Sequence, residues 1–439
     1  MDYKKMYQEK LVSAETAASV VKSGDWVDYA WTTATPVAVD TALAKRLPEL
    51  TDVKFRGGIL LWVPEIFKIE NPAEHFFWNS WHMSGIERKA IAQGFCYYAP
   101  IRYSELPRYY RDLPCKPDVA VFQVAPMDEH GYFTTGTVGM SNRMMVENAD
   151  IVILEIDENM PRTFGNTYIH VSEASCVYQG PNEMFYMPER PQSELDLKIG
   201  QFVADLIEDE STLQLGIGGI PNAVAVALRD KHNLGVHTEM LSDSLIDLYR
   251  AGVVTNSAKT LHKDKMVTAF SFGSKAAYDF LDNNPNVLHL EVGYTNDPAV
   301  IRQNRKMVSV NTTLQVDLTG QCASESIGTL QLSGTGGQTE TASGARQSEG
   351  GKSIIALHST ANVKNADGER ERVSTIVPTQ PAGMAISLMR ADVDFVVTEY
   401  GVASLRGASV RDRAMELISI AHPDYRDQLM YDAKRLYLM

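Results

Sequence analysis

The residues best placed to do chemistry are in Val236-His237-Thr238-Glu239-Met240-Leu241-Ser242-Asp243, which begins about twenty residues after the glycine turn Leu215-Gly216-Ile217-Gly218-Gly219-Ile220-Pro221-Asn222. A strand–glycine turn–helix start can cradle a phosphate on backbone N–H groups. A carboxylate just downstream, closing a short apolar run, suggests acyl chemistry on a phosphate-bearing carrier. A second turn, Gly334-Thr335-Gly336-Gly337-Gln338, can supply further N–H donors. Each string also has a plainer reading. Glu239 can be an exposed strand-end carboxylate. Gly216–Asn222 can be a tight strand–helix connection without a ligand. Gly334–Gln338 can be a flexible loop in a Gly/Ser-rich insertion.

Neighbouring patterns narrow the choice. Pro221 takes the place of the third glycine of a dinucleotide fingerprint, and no Gly-Lys-Ser/Thr follows. His237 shares a strand face with Glu239. His-x-Glu has the form of a zinc deaminase signature, but the required Pro-Cys-x-x-Cys is missing, so no metal ligand is assigned. In Met127-Asp128-Glu129-His130-Gly131-Tyr132-Phe133 the acids and the histidine can be catalytic or can mark a solvated turn.

The elements that must position these residues are α/β. The chain of 439 residues is long enough for two or three domains, and 44% hydrophobic with 22% charged residues is ordinary for a globular protein. A formal net charge of −14 disfavours nucleic acid and anionic membranes as partners. No apolar run is long enough to span a bilayer, and the start of the chain has no signal-peptide core. Cys96, Cys115, Cys176 and Cys322 have long irregular gaps, which argues for reduced thiols in a cytoplasmic protein.

The chain also contains a diverged copy of itself. Gly24–Ala30, the turn Trp31-Thr32-Thr33-Ala34 and Pro36–Leu43 match Ser211–Leu215, Gly216–Ile220 and Pro221–Leu228 at one offset (221 − 36 = 185). Both copies read as strand, turn and helix, with proline at the first helical position. At that offset Glu239 falls on Lys54, so a carboxylate nucleophile is unique to the second copy. Ala149–Glu155 and Ala391–Glu399 form a second echo at a larger offset. Prolines at 188 and 191 mark the joint, giving domains 1–190 and 191–439. A helical pattern then restarts at Leu195 and runs on through Ile199, Val203 and Ile207. Alternating apolar runs and helical segments predict two homologous open α/β domains with mainly parallel sheets. Ligands collect at the carboxyl ends of such strands.

Taken together, six strings in order resemble the family I CoA-transferases, in the acetyl-CoA hydrolase/4-hydroxybutyrate CoA-transferase branch. They are Pro126–Phe133, Gly216–Asn222, His237–Asp243, Val316–Gln321, Gly334–Gln338 and Thr398–Gly401, and they span essentially the whole chain. The resemblance implies two facing α/β domains with the active site at their interface. It implies Glu239 as nucleophile and Gly336 and Gly337 as donors to the oxyanion. It implies Gly216, Ile217, Gly218, Gly219, Ile220, Pro221, Asn222 and Gln338 as the coenzyme A site. CoA is then a substrate and covalent intermediate, with acyl-CoA and short-chain carboxylates as partners. No tightly bound cofactor is implied, and a homo-oligomer is expected. Thr339-Glu340-Thr341 stands where many relatives carry an Asp-Phe pair, and Trp31-Thr32-Thr33-Ala34 is bulkier than the family's turn. The Gly-Gly-Gln-Thr-Glu-Thr form is most similar to the butyryl-CoA:acetate transferases of anaerobic fermenters. Other short-chain acyl-CoA transferases, 4-hydroxybutyrate included, and an acyl-CoA hydrolase using Glu239 are the near alternatives. A sugar-phosphate isomerase and a non-catalytic acyl-CoA sensor are the distant ones.

Overall fold

The computed structural model describes residues 2–112, 116–188, 191–364 and 368–439. The chain forms two compact units, Met1–Pro188 with Val267–Thr295 and Gln331–Gly336, and Glu189–Met266 with Asn296–Leu330 and Gly337–Met439. A single division at 190/191 therefore does not describe the packing. Val267–Thr295 joins the first unit because backbone pairing outweighs closeness in sequence. Ala269 O accepts from the N–H groups of Gly139 and Met140 at 2.9 and 3.1 Å, and Leu288 and His289 pair with Phe164 and Gly165. Glu189 and Arg190, within the expected joint, lie outside the described residues, as does Cys115.

In the first unit seven strands run in the order Cys176–Gln179, Ile151–Ile156, Val119–Val124, Trp26–Tyr29, Val53–Gly57, Phe76–Ser80 and Cys96–Tyr98, and every neighbouring pair is parallel. The interior strand Val119–Val124 is buried at every residue, as a parallel strand covered on both faces must be. In the second unit the order is Gly401–Ser404, Phe395–Thr398, Lys352–Ala356, Met307–Thr312, Thr212–Leu215 and Gly235–Leu241. Only Gly401–Ser404 is antiparallel there. It folds back on Phe395–Thr398 through Glu399 and Tyr400.

The shared strand order supports the duplication and corrects its details. Ile151–Ile156 lies second from the first strand of its unit. The strand in that place in the second unit is Lys352–Ala356, not Phe395–Thr398, which matches Cys176–Gln179 instead. Two apolar runs after Ala-Asp look alike as strings, but hydrogen-bond partners tell them apart. Ladder register also moves Glu239 off Lys54. Val27 pairs with Phe55 and its counterpart Thr212 pairs with Gly235, so the local offset is 180 and Glu239 falls on Ile59. The prolines differ too. Pro36 precedes the helix Ala38–Arg46, and Pro221 is the third residue of the helix Gly219–Ala227. Both lie where a helix start leaves N–H groups unpaired, so the missing N–H is tolerated.

The helix Glu194–Asp205 opens with a capping box between Ser193 and Asp196 and buries Ile199 and Val203, while Leu195 stays exposed. Cys96, Cys176 and Cys322 are free thiols. Among the described residues no helix is long and apolar enough to cross a membrane.

Candidate active site

Glu239 is the fifth residue of the strand Gly235–Leu241, and its neighbours His237, Thr238 and Met240 are buried. Asn296 donates from Nδ2 to Glu239 Oε2 at 2.7 Å. The N–H of Gly337 donates to the same carboxylate. Gly337 is the N-cap of the helix Gln338–Gln347, so the carboxylate meets the positive end of a ten-residue helix. A Cβ on Gly337 would overlap Glu239 Oε2 and Asn296 Nδ2, so only glycine lets the backbone come this close. Gln338 Nε2 anchors the turn by donating to Thr312 O at 3.0 Å.

Two effects raise the pKa of Glu239 and two lower it. Burial pushes it up to about 7, and the charge of Glu340, buried in the first turn of the same helix, adds to the rise. The hydrogen bonds from Asn296 and Gly337 pull it back. A carboxyl group near 7 is partly ionised at neutral pH, so it is a usable nucleophile that needs no base.

The turn Gly216, Ile217, Gly218, Gly219, Ile220, Pro221 and Asn222 runs from the strand Thr212–Leu215 into the helix Gly219–Ala227. Gly218 has φ +117° and ψ −172°, a conformation open essentially to glycine alone. Ile217 is exposed at its tip. Gly219 is small for a different reason: a Cβ there would lie 2.6 Å from Asp196 Oδ2. The Asp196 carboxylate accepts from Ser193 N at 2.8 Å and from His358 Nε2 at 2.9 Å.

The first copy treats the same helix start differently. There Glu155 accepts from Val37 N at 3.0 Å and Ala38 N at 2.9 Å, with a further hydrogen bond from the Tyr178 hydroxyl. The helix Ala38–Arg46 thus carries a built-in carboxyl acceptor at its N-terminus; burial pushes the Glu155 pKa up and these hydrogen bonds pull it back. Strand register places Ile355 at the matching point of the second copy (155 + 200), and the carboxylate beside that helix start is Asp196, against Gly219. The turn before the first helix is closed as well. Trp31, Thr32, Thr33 and Ala34 are buried in it, and Thr32 has φ +51°.

The expected donors Gly336 and Gly337 fall either side of the division between the units. Within the first unit, Gly334 packs against His82 and Thr335 N donates to the Tyr98 hydroxyl at 3.2 Å, while Gly336 has φ +55°. The remaining strings have structural work. Asp317 folds its own turn, accepting from Thr319 N, Gln321 N and Gln321 Nε2. Asp128 does the same for His130 N and Tyr132 N and pairs with Arg162 at 2.8 Å, while Glu129 and His130 are exposed. Among the described residues no group of three or more His, Cys, Asp or Glu side chains is placed to hold a metal ion. Reasoning from the sequence missed Asn296, Glu155 and the Asp196–His358 pair. Only Asn296 had any local signal, the turn-like Asn296-Asp297-Pro298, and that signal points to a helix start.

Comparison with known proteins bears on the whole chain. The family model described as the acetyl-CoA hydrolase/transferase N-terminal domain matches residues 1–210, and its C-terminal counterpart matches 273–433. The butyryl-CoA:acetate CoA-transferase of Anaerostipes caccae is 46% identical over 99% of this chain and 98% of its own. The 4-hydroxybutyrate coenzyme A transferase of Clostridium kluyveri is 40% identical over 100% of both chains. Among solved structures, RipA from Yersinia pestis superposes with a TM-score of 0.91 at 34% identity, covering 100% of each chain.

Proposed function

The chain belongs to the acetyl-CoA hydrolase/transferase family, and from that premise we propose that it transfers CoA from butyryl-CoA to acetate through a thioester on Glu239. The observation that carries this reading is the Glu239 carboxylate, held by Asn296 Nδ2 and the N–H of Gly337 at a helix start. The relatives' names support the choice of substrates. On the same reading the protein acts in the cytoplasm of a fermenting cell, as a homo-oligomer, with no tightly bound cofactor.

In the proposed sequence an ionised Glu239 oxygen attacks the thioester carbonyl. The carbon–sulfur bond breaks, leaving an acyl-glutamyl anhydride and CoA thiolate. The thiolate then attacks Cδ of Glu239, releasing butyrate and leaving the glutamyl-CoA thioester. Acetate runs the same two steps in reverse, and no net proton is taken up or lost. When the attacked carbon is Glu239 Cδ, the oxyanion forms on a Glu239 oxygen. Asn296 Nδ2 and Gly337 N–H, which bind the resting carboxylate, are then its donors. Positioned donors of this kind contribute about 3 kcal/mol each. The glycine turn Gly216–Asn222 is assigned to the phosphates of CoA, whose binding energy drives the reacting end into place. Ping-pong kinetics follow.

The test is intact-mass analysis of the protein with butyryl-CoA and no acceptor, followed by peptide mapping. The expected result is a CoA-sized adduct on Glu239 that disappears, with acetyl-CoA formed, once acetate is added. An adduct that decays to free CoA at the same rate with or without acetate makes the protein a hydrolase. An adduct on another residue sinks the assignment of Glu239.

The raised pKa of Glu239 gives a second check. Only the ionised carboxylate attacks, so kcat/KM should fall as pH drops below about 7. Glu340→Gln removes a repelling charge and should move that acid limb to lower pH. Asn296→Ala removes a hydrogen bond to the charged form and should move it to higher pH. The measurement is kcat/KM for butyryl-CoA from about pH 5 to 9. Limbs that coincide in all three proteins assign the ionisation to some other group.

A further inference from the structure

The segment Gln331–Gly336 packs with the first unit, and the next residue, Gly337, is the one whose N–H reaches Glu239. The far side of Gly337 is fixed by the helix Gln338–Gln347 and by Gln338 Nε2 on Thr312 O. The near side does little to fix itself. Gly336 has φ +55° and no side chain, so the direction of the Gly336–Gly337 peptide must be set from outside the turn.

Side chains of the first unit grip the segment along its length. Arg88 Nη1 donates to Leu332 O. Gly334 lies against His82, so that a Cβ on it would be 2.8 Å from His82 Nδ1. Thr335 N donates to the Tyr98 hydroxyl at 3.2 Å, and Thr335 Oγ1 lies 3.4 Å from the same oxygen. The Tyr98 oxygen accepts from the N–H, and its own proton is then available to Thr335 Oγ1. Tyr98 thus holds both the backbone and the side chain of Thr335.

The gripping residues stand on fixed elements. Tyr98 ends the strand Cys96–Tyr98, where it pairs with Ser80, and Ala99 N donates to Ser80 O at 2.9 Å. Its ring packs against the hydrophobic core that contains Trp78 and Phe95. Arg88 is on the helix Gly85–Ile91, which opens with a capping box between Ser84 and Glu87. From Thr335 to Gly337 is two residues, a Cα separation of at most about 7.6 Å. A hydrogen bond weakens steeply once its angle falls below about 120°. A modest rotation of the Gly336–Gly337 peptide would therefore cost Glu239 a donor.

The inference rests on Glu239 being the nucleophile. We propose that Tyr98, helped by Arg88, is a positioning residue that aims the Gly337 N–H at the Glu239 carboxylate through Thr335. It acts on the turn and not on the substrate.

The test is kcat and KM for butyryl-CoA from about pH 5 to 9 in the native chain, in Tyr98→Phe and in Asn296→Ala. Tyr98→Phe removes one oxygen and leaves the ring in the core. Burial lowers the pKa of His82 to about 4, so the group beside Gly334 stays neutral over this range, and Glu340, whose charge raises the Glu239 pKa, is untouched. The expected result is a kcat about tenfold lower with KM unchanged, a part of what one positioned donor supplies. The Gly337 hydrogen bond holds the Glu239 pKa down. Weakening it should also move the acid limb of kcat/KM up by about 0.3 pH units or more, the direction expected for Asn296→Ala. A purely structural defect would lower activity and leave the limb in place. Two results overturn the proposal alone: native kcat and limb in Tyr98→Phe while Asn296→Ala moves the limb, or a lower kcat with a native limb. Limbs that coincide in all three proteins overturn the reading of Glu239 and this inference with it. If Tyr98→Phe does not fold, Arg88→Gln, at an exposed side chain, is read in the same way.

Discussion

Glu239→Gln is expected to stop CoA transfer, with kcat/KM down by more than about 10⁴-fold, while the protein stays folded. The amide keeps the shape of the carboxyl group and an oxygen that can accept from Asn296 Nδ2, but it has no charged oxygen to attack a thioester. Stability should not suffer, and the sign follows from the raised pKa. The folded state binds the Glu239 proton more tightly than the unfolded chain does. The ionised form is therefore penalised on folding, and that penalty grows as pH rises from about 4.5 to about 7. Above pH 7 the glutamine variant should melt at the same temperature as the native protein or higher. Glu239→Asp should also be slow, by about 10²-fold or more, because one methylene withdraws the attacking oxygen by more than 1 Å. Steady-state kinetics, mass analysis of the adduct and a melting curve above pH 7 check all of this. Native-like exchange in the glutamine variant would falsify the nucleophile.

Gly337→Ala is expected to cost about 10²- to 10³-fold in kcat/KM, the scale of losing one positioned donor. The reason is steric. The new methyl would occupy the space of Glu239 Oε2 and Asn296 Nδ2, so either the carboxylate turns away or the helix start retreats. Both break the hydrogen bond from the Gly337 N–H. The backbone there is not strained, with φ −99°, so any fall in melting temperature comes from this overlap and the lost hydrogen bond. The loss should fall on kcat more than on KM, because CoA is assigned to the other turn. A variant with native kcat would show that this N–H donates nothing to the reaction.

The sequence made local features legible and non-local ones invisible. The strand carrying Glu239 and the turn Gly216–Asn222 could be read because apolar runs and glycine spacing are properties of neighbouring residues. Asn296 could not be read, because 57 residues separate it from Glu239 and its own surroundings look like a helix cap (296 − 239 = 57). Gly334–Gln338 could be read as a loop in a Gly/Ser-rich insertion, and residues 338–347, which follow it, are rich in Thr, Ser, Ala and Gly. They form a helix because those small residues allow close packing: a Cβ on Gly344 would lie 2.6 Å from Ile301 Cβ, and Ala345 is buried beside Ile301 and Met307. The second internal echo misled for a related reason. Buried parallel strands share one vocabulary of Val, Ile and Leu, so their strings match without their places in the sheet matching.

Glu155 bears on how two copies of one design came to differ. A helix start that must bind an outside anion keeps its loop open, its glycines in place and its shape fitted to that visitor. In the first copy a carboxyl group from the next strand but one, Glu155, already occupies Val37 N and Ala38 N. Trp31, Thr32 and Thr33 are buried in the turn that leads to that helix. At that helix start the place of an outside anion is taken by the chain's own side chain.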